Sequence, residues 1–268
     1  MIEVLAFSCP LLLAATGALF SEYTGCLALF LDGLITFSGF LTYMFTVLTG
    51  SVFAGILLST IISTVLALLF AFIVEKTKAE RFIAAIAVNL LFGALTSLFS
   101  SLIFKTRGVL TSQAFVFKTA PVNIFSICIT VIIIAACIVF LTKTQKGIYF
   151  RITGSNPDVL LVRGVNPALY RILSWGAAAL AGSIAGSIMT LRISSFVPNL
   201  ASGKGWLALA AVFMGRRKLG KISVFTIIFC VIEYAAVLIQ NYIPAIPSSV
   251  ILSLPYIILL CTLLLLPD

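Results

Sequence analysis

The sequence predicts an all-α transmembrane protein: a polytopic helical bundle of about nine membrane segments, two of them broken or re-entrant. Three observations lead there. Hydrophobic residues make up 62% of the 268 and charged residues only 9%, where soluble domains carry about 25%. Apolar windows of about 20 residues, enough to cross roughly 30 Å of hydrocarbon, recur from end to end. The alternating segments of about ten residues that build a spanning barrel are missing.

The apolar segments fall at about 4–20, 27–48, 52–74, 82–104, 123–142, 172–192, 196–215, 222–241 and 248–266. The first follows Met1 and Glu3 without a basic start or a small-residue cleavage site, so it reads as a retained helix. The second holds Asp32, Gly33 and Gly39. The seventh holds Pro198, Asn199, Gly203, Lys204 and Gly205, leaving Trp206 to Met214 as its continuous apolar helix. A helix that short covers under half a membrane, at about 1.5 Å per residue. Irregular backbone at that depth survives only inside protein or along a watery cavity. Both segments are therefore expected to wall a solute pathway. Residues 1–268 read as one transmembrane domain, with a polar loop at about 143–171.

Three connections are basic: Lys76/Lys78/Arg81, Lys143 to Arg171, and Arg216/Arg217/Lys218/Lys221. With these inside, twelve of the 17 Lys and Arg are cytoplasmic and five (Lys105, Arg107, Lys118, Arg192, Lys204) lie outside, as the positive-inside rule favours. Nine crossings then put the C-terminus inside and the N-terminus outside, whereas a mere dip at 27–37 would bring the N-terminus inside. The net charge of +9 thus reflects membrane-flanking loops and gives no reason to expect nucleic acid as a partner.

The loop contains one short helix. Asn156 is expected as its N-cap, Pro157 at its first position, Asp158 at the positive end of its dipole, Arg163 in its last turn and Gly164 as its stop. Between them stand Val159, Leu160, Leu161 and Val162, apolar all round. Two turns of helix in water cannot bury four such side chains, so they need the membrane surface or a protein partner. An interfacial helix would normally carry lysines on a polar face, which favours the protein partner.

Several chemistries are excluded or disfavoured. The chain has no histidine, and its six cysteines show no CxxC spacing, so no metal site is expected. "GRRKLGKI", Gly215 to Ile222, imitates a phosphate-binding loop, but Ile222 stands where a Ser or Thr must hold magnesium, and both flanks are membrane helix. Asn89 and Glu233 lie within apolar segments, where a polar side chain must face a cavity or a partner. For Glu233 three readings stand: pathway lining, a buried structural bond, or a proton carrier in a secondary transporter.

"TGSNPDVLLVRGVNPALYRILSWGAAALAGSIAG" resembles the G-x-N-P-x-A-A-R-x-x-G-I segment and following small-residue helix of permeases in ABC importers for nucleosides and simple sugars, relatives of the ribose-type and branched-chain-amino-acid-type permeases. "FVPNLASGKGWLALAAVFMGRRKLG" is similar to that family's F-V-P-N-x-x-x-G-x-G pattern, "GALFSEYTGCLALFLDGL" to its G-x-F-S-E-x-x-G segment, and "VNLLFGALTS" to its A-L-N-L-L-x-x-G-L-T-S helix. The resemblance implies a multi-pass permease in the cell membrane that catalyses no reaction and binds no cofactor. It implies a second permease subunit, as a heterodimer, a cytoplasmic ATPase holding ATP and magnesium, and an external binding lipoprotein. It makes Asn156 to Gly164 the coupling element for the ATPase.

The substrate pathway expected on this basis comprises Ala28, Phe30, Asp32, Asn89, Phe196, Asn199, Trp206 and Glu233. Three of these depart from the family pattern: Ala28 stands in place of Asn, Phe30 in place of Gly, and Asp32 in place of Glu. A site that gains rings and loses an amide is expected to prefer a flat solute, since base stacking on an aromatic ring is worth about 1–3 kcal/mol. Nucleoside ranks first, riboflavin next and simple sugar third.

Overall fold

The computed structural model describes residues 2–117, 119–242, 253, 255–258 and 260. Ten α-helices follow in order: α1 Ile2–Tyr23, α2 Leu31–Thr49, α3 Val52–Thr77, α4 Arg81–Phe104, α5 Thr119–Lys143, α6 Gln145–Ser155, α7 Pro157–Val162, α8 Pro167–Ile193, α9 Lys204–Met214 and α10 Leu219–Tyr242. Seven of them (α1–α5, α8 and α10) are long and apolar enough to cross a membrane. The ninth expected segment, 248–266, lies outside the described residues apart from a few positions.

One of the two irregular segments differs from expectation. Segment 27–48 is not broken at its glycines, because α2 runs unbroken from Leu31 to Thr49. The irregular stretch is 24–30, before the helix starts. Segment 196–215 is helical only over the 11 residues of α9, and residues 194–203 form turns with positive φ at Ser194, Asn199, Ser202 and Gly203.

The helix α8 is the axis of the bundle, packed against α1, α2 and α3. Its small residues allow this. A Cβ at Gly186 would overlap the Ile35 carbonyl and the Ser38 hydroxyl on α2, and one at Gly182 would come within 2.8 Å of Leu31. On the α1 side the glycine is in the partner: a Cβ at Gly17 would meet Ala181 at 2.9 Å. Close backbones also let hydroxyls meet: Thr42 of α2, Ser59 of α3 and Ser187 of α8 form a buried triangle with edges of 2.8, 2.8 and 3.3 Å. Such packing is what holds helices together where lipid removes the hydrophobic drive between them. The helices α3, α4 and α5 instead show Leu, Ile, Val and Phe outward, as lipid-facing helices must.

Both ends of α1 are tied down. Pro10 has no N–H for the carbonyl of Ala6, one turn back, and Arg192 of α8 donates to that oxygen at 2.8 Å. At the other end Glu22 accepts from Arg217 at 2.7 Å, and Tyr23 donates its hydroxyl to the Arg217 carbonyl at 2.6 Å. These contacts, with the Arg171–Glu75 pair at 3.5 Å, gather all three basic connections at one end of the bundle. The 104–119 and 193–203 connections meet at the opposite end, where Leu110 and Phe196 exchange two backbone bonds of 2.9 and 3.0 Å.

At the basic end the 143–167 loop holds two helices where one was expected. The longer, α6, is capped by Thr144 and docked on the bundle through Phe150, whose ring meets Phe20, Phe140 and Tyr170. The shorter, α7, ends at Val162, with Arg163 as its capping residue and Gly164 at φ +73° closing the turn. Asn156 precedes α7 but makes no side-chain cap bond.

Gly186→Val forces α8 away from α2, an overpacking of about 1–3 kcal/mol or more. The detergent-solubilised variant is expected to melt several degrees below the parent, about 2–4 °C per kcal/mol at this size, in a tryptophan-fluorescence scan; an unchanged midpoint would show that the α2–α8 contact is slack.

Candidate functional site

Four helix starts supply their own side-chain caps. Ser51 does so for α3, Glu80 for α4, Thr144 for α6 and Asn166 for α8, each side chain accepting from a backbone N–H of its own first turn. The helices α2 and α9 are different. Phe30 and Gly203 precede them, and neither provides a side-chain cap. The first N–H groups of a helix have no partner within it, and inside a bilayer no water stands ready.

Neighbouring helices fill the gap. Asn89 of α4 accepts the Gly33 N–H of α2 at 2.7 Å, and Asp32 of α2 accepts the Gly205 N–H of α9 at 3.1 Å. One turn along α2, the Thr36 hydroxyl accepts the Ala201 N–H at 3.3 Å. The Asp32 carboxylate also sits at the positive end of the α9 dipole. Glycines permit the approach, since a Cβ at Gly33 would overlap the Asn89 carbonyl and one at Gly205 the Asp32 backbone. From the first residue of α9, Lys204 forms an ion pair with Glu233 of α10. The irregular 24–30 stretch is satisfied likewise: Trp175 donates to the Cys26 carbonyl at 3.1 Å, and Ser21 accepts from Ala28 at 3.1 Å.

Beside this relay lies a cavity of about 480 Å³, within the usual range for small-molecule sites. Asp32, Gly33 and Thr36 of α2 line one side. Phe196, Pro198 and Asn199 line a second. The third is a face of α4 built from Asn89, Leu90, Gly93, Thr96, Ser97 and Ser100, with Arg107 beyond the helix end. Most of these residues carry polar groups, set among apolar surface, and there is no metal-binding cluster among the described residues.

Four of the eight expected pathway residues thus converge: Asp32, Asn89, Phe196 and Asn199. The other four lie elsewhere. Ala28 is fully buried, and the Phe30 ring, also fully buried, packs on Trp175 at 4.8 Å and Phe92 at 6.4 Å. Both ring faces available to Phe30 are spent in the core, so the expected stacking on a flat solute has no place there. Trp206 is 42% exposed and lines no part of the cavity. Glu233 is held by Lys204, which corresponds to the structural reading of that carboxylate. On the α4 face sequence reasoning named Asn89 alone and missed Gly93, Thr96, Ser97 and Ser100, although they stand at helical spacing from it.

The short helix α7 departs from expectation in one residue. Leu160 is fully buried, on a helix packed against α6 and α8, while Val159, Leu161 and Val162 are 43%, 58% and 90% exposed.

Asp32→Leu removes the α9 cap and leaves the Gly205 N–H unpaired, a cost of about 1–3 kcal/mol. Asp32→Asn keeps an oxygen there. The expected outcome is a lowered melting point and faster proteolysis near 199–203 for the leucine variant only; equal behaviour of the two would remove the capping role.

Comparison with known proteins agrees with this architecture. The family described as "Branched-chain amino acid transport system / permease component" matches residues 1–265. The chain is 24% identical to "Nucleoside ABC transporter permease protein NupC" of Lactococcus lactis, covering 95% of this chain and 88% of that one. It is 24% identical to "Guanosine ABC transporter permease protein NupQ" of Bacillus subtilis (79% and 73% covered) and 24% identical to "Putative glucose ABC transporter permease protein TsgC13" of Haloferax volcanii (83% and 72% covered). Among solved structures, "PsaBC from Streptococcus pneumoniae in complex with Fab" shares the fold with a TM-score of 0.57 at 12% identity, over 96% of this chain and 87% of that one. A family match over nearly the whole chain, on a bundle with seven helices long and apolar enough to cross a membrane, makes this protein a multi-pass member of the branched-chain amino acid transport system permease family.

Proposed function

We propose that the chain is the translocating permease of an ATP-driven importer whose solute is a nucleoside. The polar cavity between α2, α4 and 194–199 carries this reading. It is a solute-sized, hydroxyl- and amide-lined space in a permease, placed where two helices begin inside the membrane. The nucleoside and guanosine permeases among its relatives favour nucleoside, and the glucose permease leaves a simple sugar second. Nothing favours riboflavin, because the Phe30 ring that prompted it is enclosed in the core.

Energy enters through α7. A six-residue helix that turns Val159, Leu161 and Val162 to water is poorly explained by its own fold and well explained as a handle for a soluble ATPase, which would hold ATP and magnesium. Its anchor is α6, docked on α1 and α5, so a push on α7 reaches the bundle through a packed helix. The basic end is then cytoplasmic, the charge balance of the loops puts the C-terminus on that side, a second permease completes the pore as a heterodimer, and a binding lipoprotein delivers solute from outside. A proton-driven cycle on Glu233 has less support, since that carboxylate already has Lys204 as its partner.

Leu161→Asp or Val162→Asp is expected to reduce nucleoside-stimulated ATP hydrolysis of the reconstituted importer to background, with membrane insertion unchanged. Leu160→Asp instead buries a charge and should lower the yield of folded protein. Undiminished stimulation in the Leu161 and Val162 variants would rule out docking there.

The Glu233→Gln protein is expected to keep ATP-dependent guanosine uptake with the proton gradient collapsed. Uptake that follows the gradient while ATP is held constant would restore the secondary transporter.

A further inference from the structure

Among the described glycines, Gly93 and Gly220 have neither a positive φ nor any neighbour within 4 Å of an added Cβ, and of the two Gly93 lines the cavity. It stands in the middle of α4, where glycine costs about 1 kcal/mol against alanine. Gly33, Gly39, Gly55, Gly182, Gly186 and Gly205 each press on a neighbouring helix or strand of chain, and Gly25, Gly50, Gly164 and Gly203 have positive φ. A Cβ at Gly93 would meet nothing within 4 Å. It opens into the polar cavity, one helical turn from Asn89.

Asn89 points the same way for a separate reason. The Gly33 N–H can only donate, so the Asn89 atom facing it at 2.7 Å must be the amide oxygen. The Nδ2 group is left with two donors on a residue that lines the cavity, and no described residue accepts from them. The capping bond thus fixes both the rotamer and the sense of the amide. An unpaired donor at this depth, beside a helix position with its side chain deleted, is a site arranged for something that enters and leaves.

We propose that Asn89 and Gly93 form the point at which the permease reads its solute. Asn89 Nδ2 donates to an acceptor on a planar ring, a carbonyl oxygen or ring nitrogen of a nucleobase, and the bare α4 backbone at Gly93 gives that ring its room. Asn89 is then a specificity-determining residue with two tasks, its oxygen holding α2 and its nitrogen the solute. This rests on the nucleoside reading above.

The test uses the complete importer in liposomes, with ATP inside the vesicles opposite the binding protein and labelled guanosine and uridine as probes. Gly93→Leu is expected to cut guanosine transport by roughly tenfold or more, the scale of a few added methylenes in a fitted site. Gly93→Ala should slow the two-ring guanosine more than the one-ring uridine. Asn89→Asp keeps an oxygen opposite Gly33 and so the parental melting point, but loses the donors; a rise in KM of about tenfold is expected, the worth of one hydrogen bond. Asn89→Ala loses the cap as well and should melt lower. Parental transport by assembled Gly93→Leu or by Asn89→Asp overturns the proposal. Failure of Gly93→Leu to assemble with the second permease also overturns it, because the glycine would then serve helix approach. A parent complex that carries neither nucleoside overturns the solute assignment together with this proposal, whereas a parent that carries both alongside insensitive variants overturns the proposal alone.

Discussion

The structure depends on the need to satisfy helix N-termini where there is no water. Two helices begin within the bundle, and each lacks a cap of its own. The cost of several unpaired N–H groups in hydrocarbon would be several kcal/mol apiece. The chain meets it with a relay: α4 caps α2 through Asn89, α2 caps α9 through Asp32, and α9 binds α10 through Lys204 and Glu233. Asn89, Asp32, Lys204 and Glu233, four polar side chains in oily segments, are the links in this relay.

That arrangement also explains why a cavity exists. A helix that starts late leaves the depth below it to irregular chain, and irregular chain cannot pack as densely as two crossing helices. The space between α2, α4 and the 194–199 turns is the remainder, and its polar lining follows from the caps that border it. The same interactions that make the fold affordable therefore supply the donors and acceptors of a solute route. The core on the other side of α2 is of the opposite kind, with Phe30, Phe37 and Phe92 locked around Trp175 and α8.

Motion in such a bundle must be transmitted by packed elements. The basic end offers a continuous path: α7 exposed, α6 wedged by Phe150 between α1, α5 and α8, and Glu22–Arg217 joining α1 to the turn before α10. A displacement of α7 would load α1 and α9 together, and the start of α9 is held by Asp32 of the cavity wall.

Much of this was legible in the sequence because bilayer physics is one-dimensional. A run of apolar residues must span, a basic loop must stay on one side, and Asn-Pro-Asp before four aliphatics must be a short exposed helix; no tertiary contact is needed for these. The short α9 was equally readable, since Pro198, Asn199, Gly203 and Gly205 leave no room for a longer helix. What the sequence could not give is direction around a helix axis. Gly33 and Gly39 look like breaks in α2 until α4 and α8 are seen pressed against them. Phe30 looks like a ligand platform until Phe92 and Trp175 close on it, and Leu160 like its exposed neighbours until α7 packs on α6 and α8. A polar residue in a membrane segment announces that it has a partner, but whether that partner is solute, backbone or another side chain depends on which helices stand beside it, and only the tertiary packing decides that.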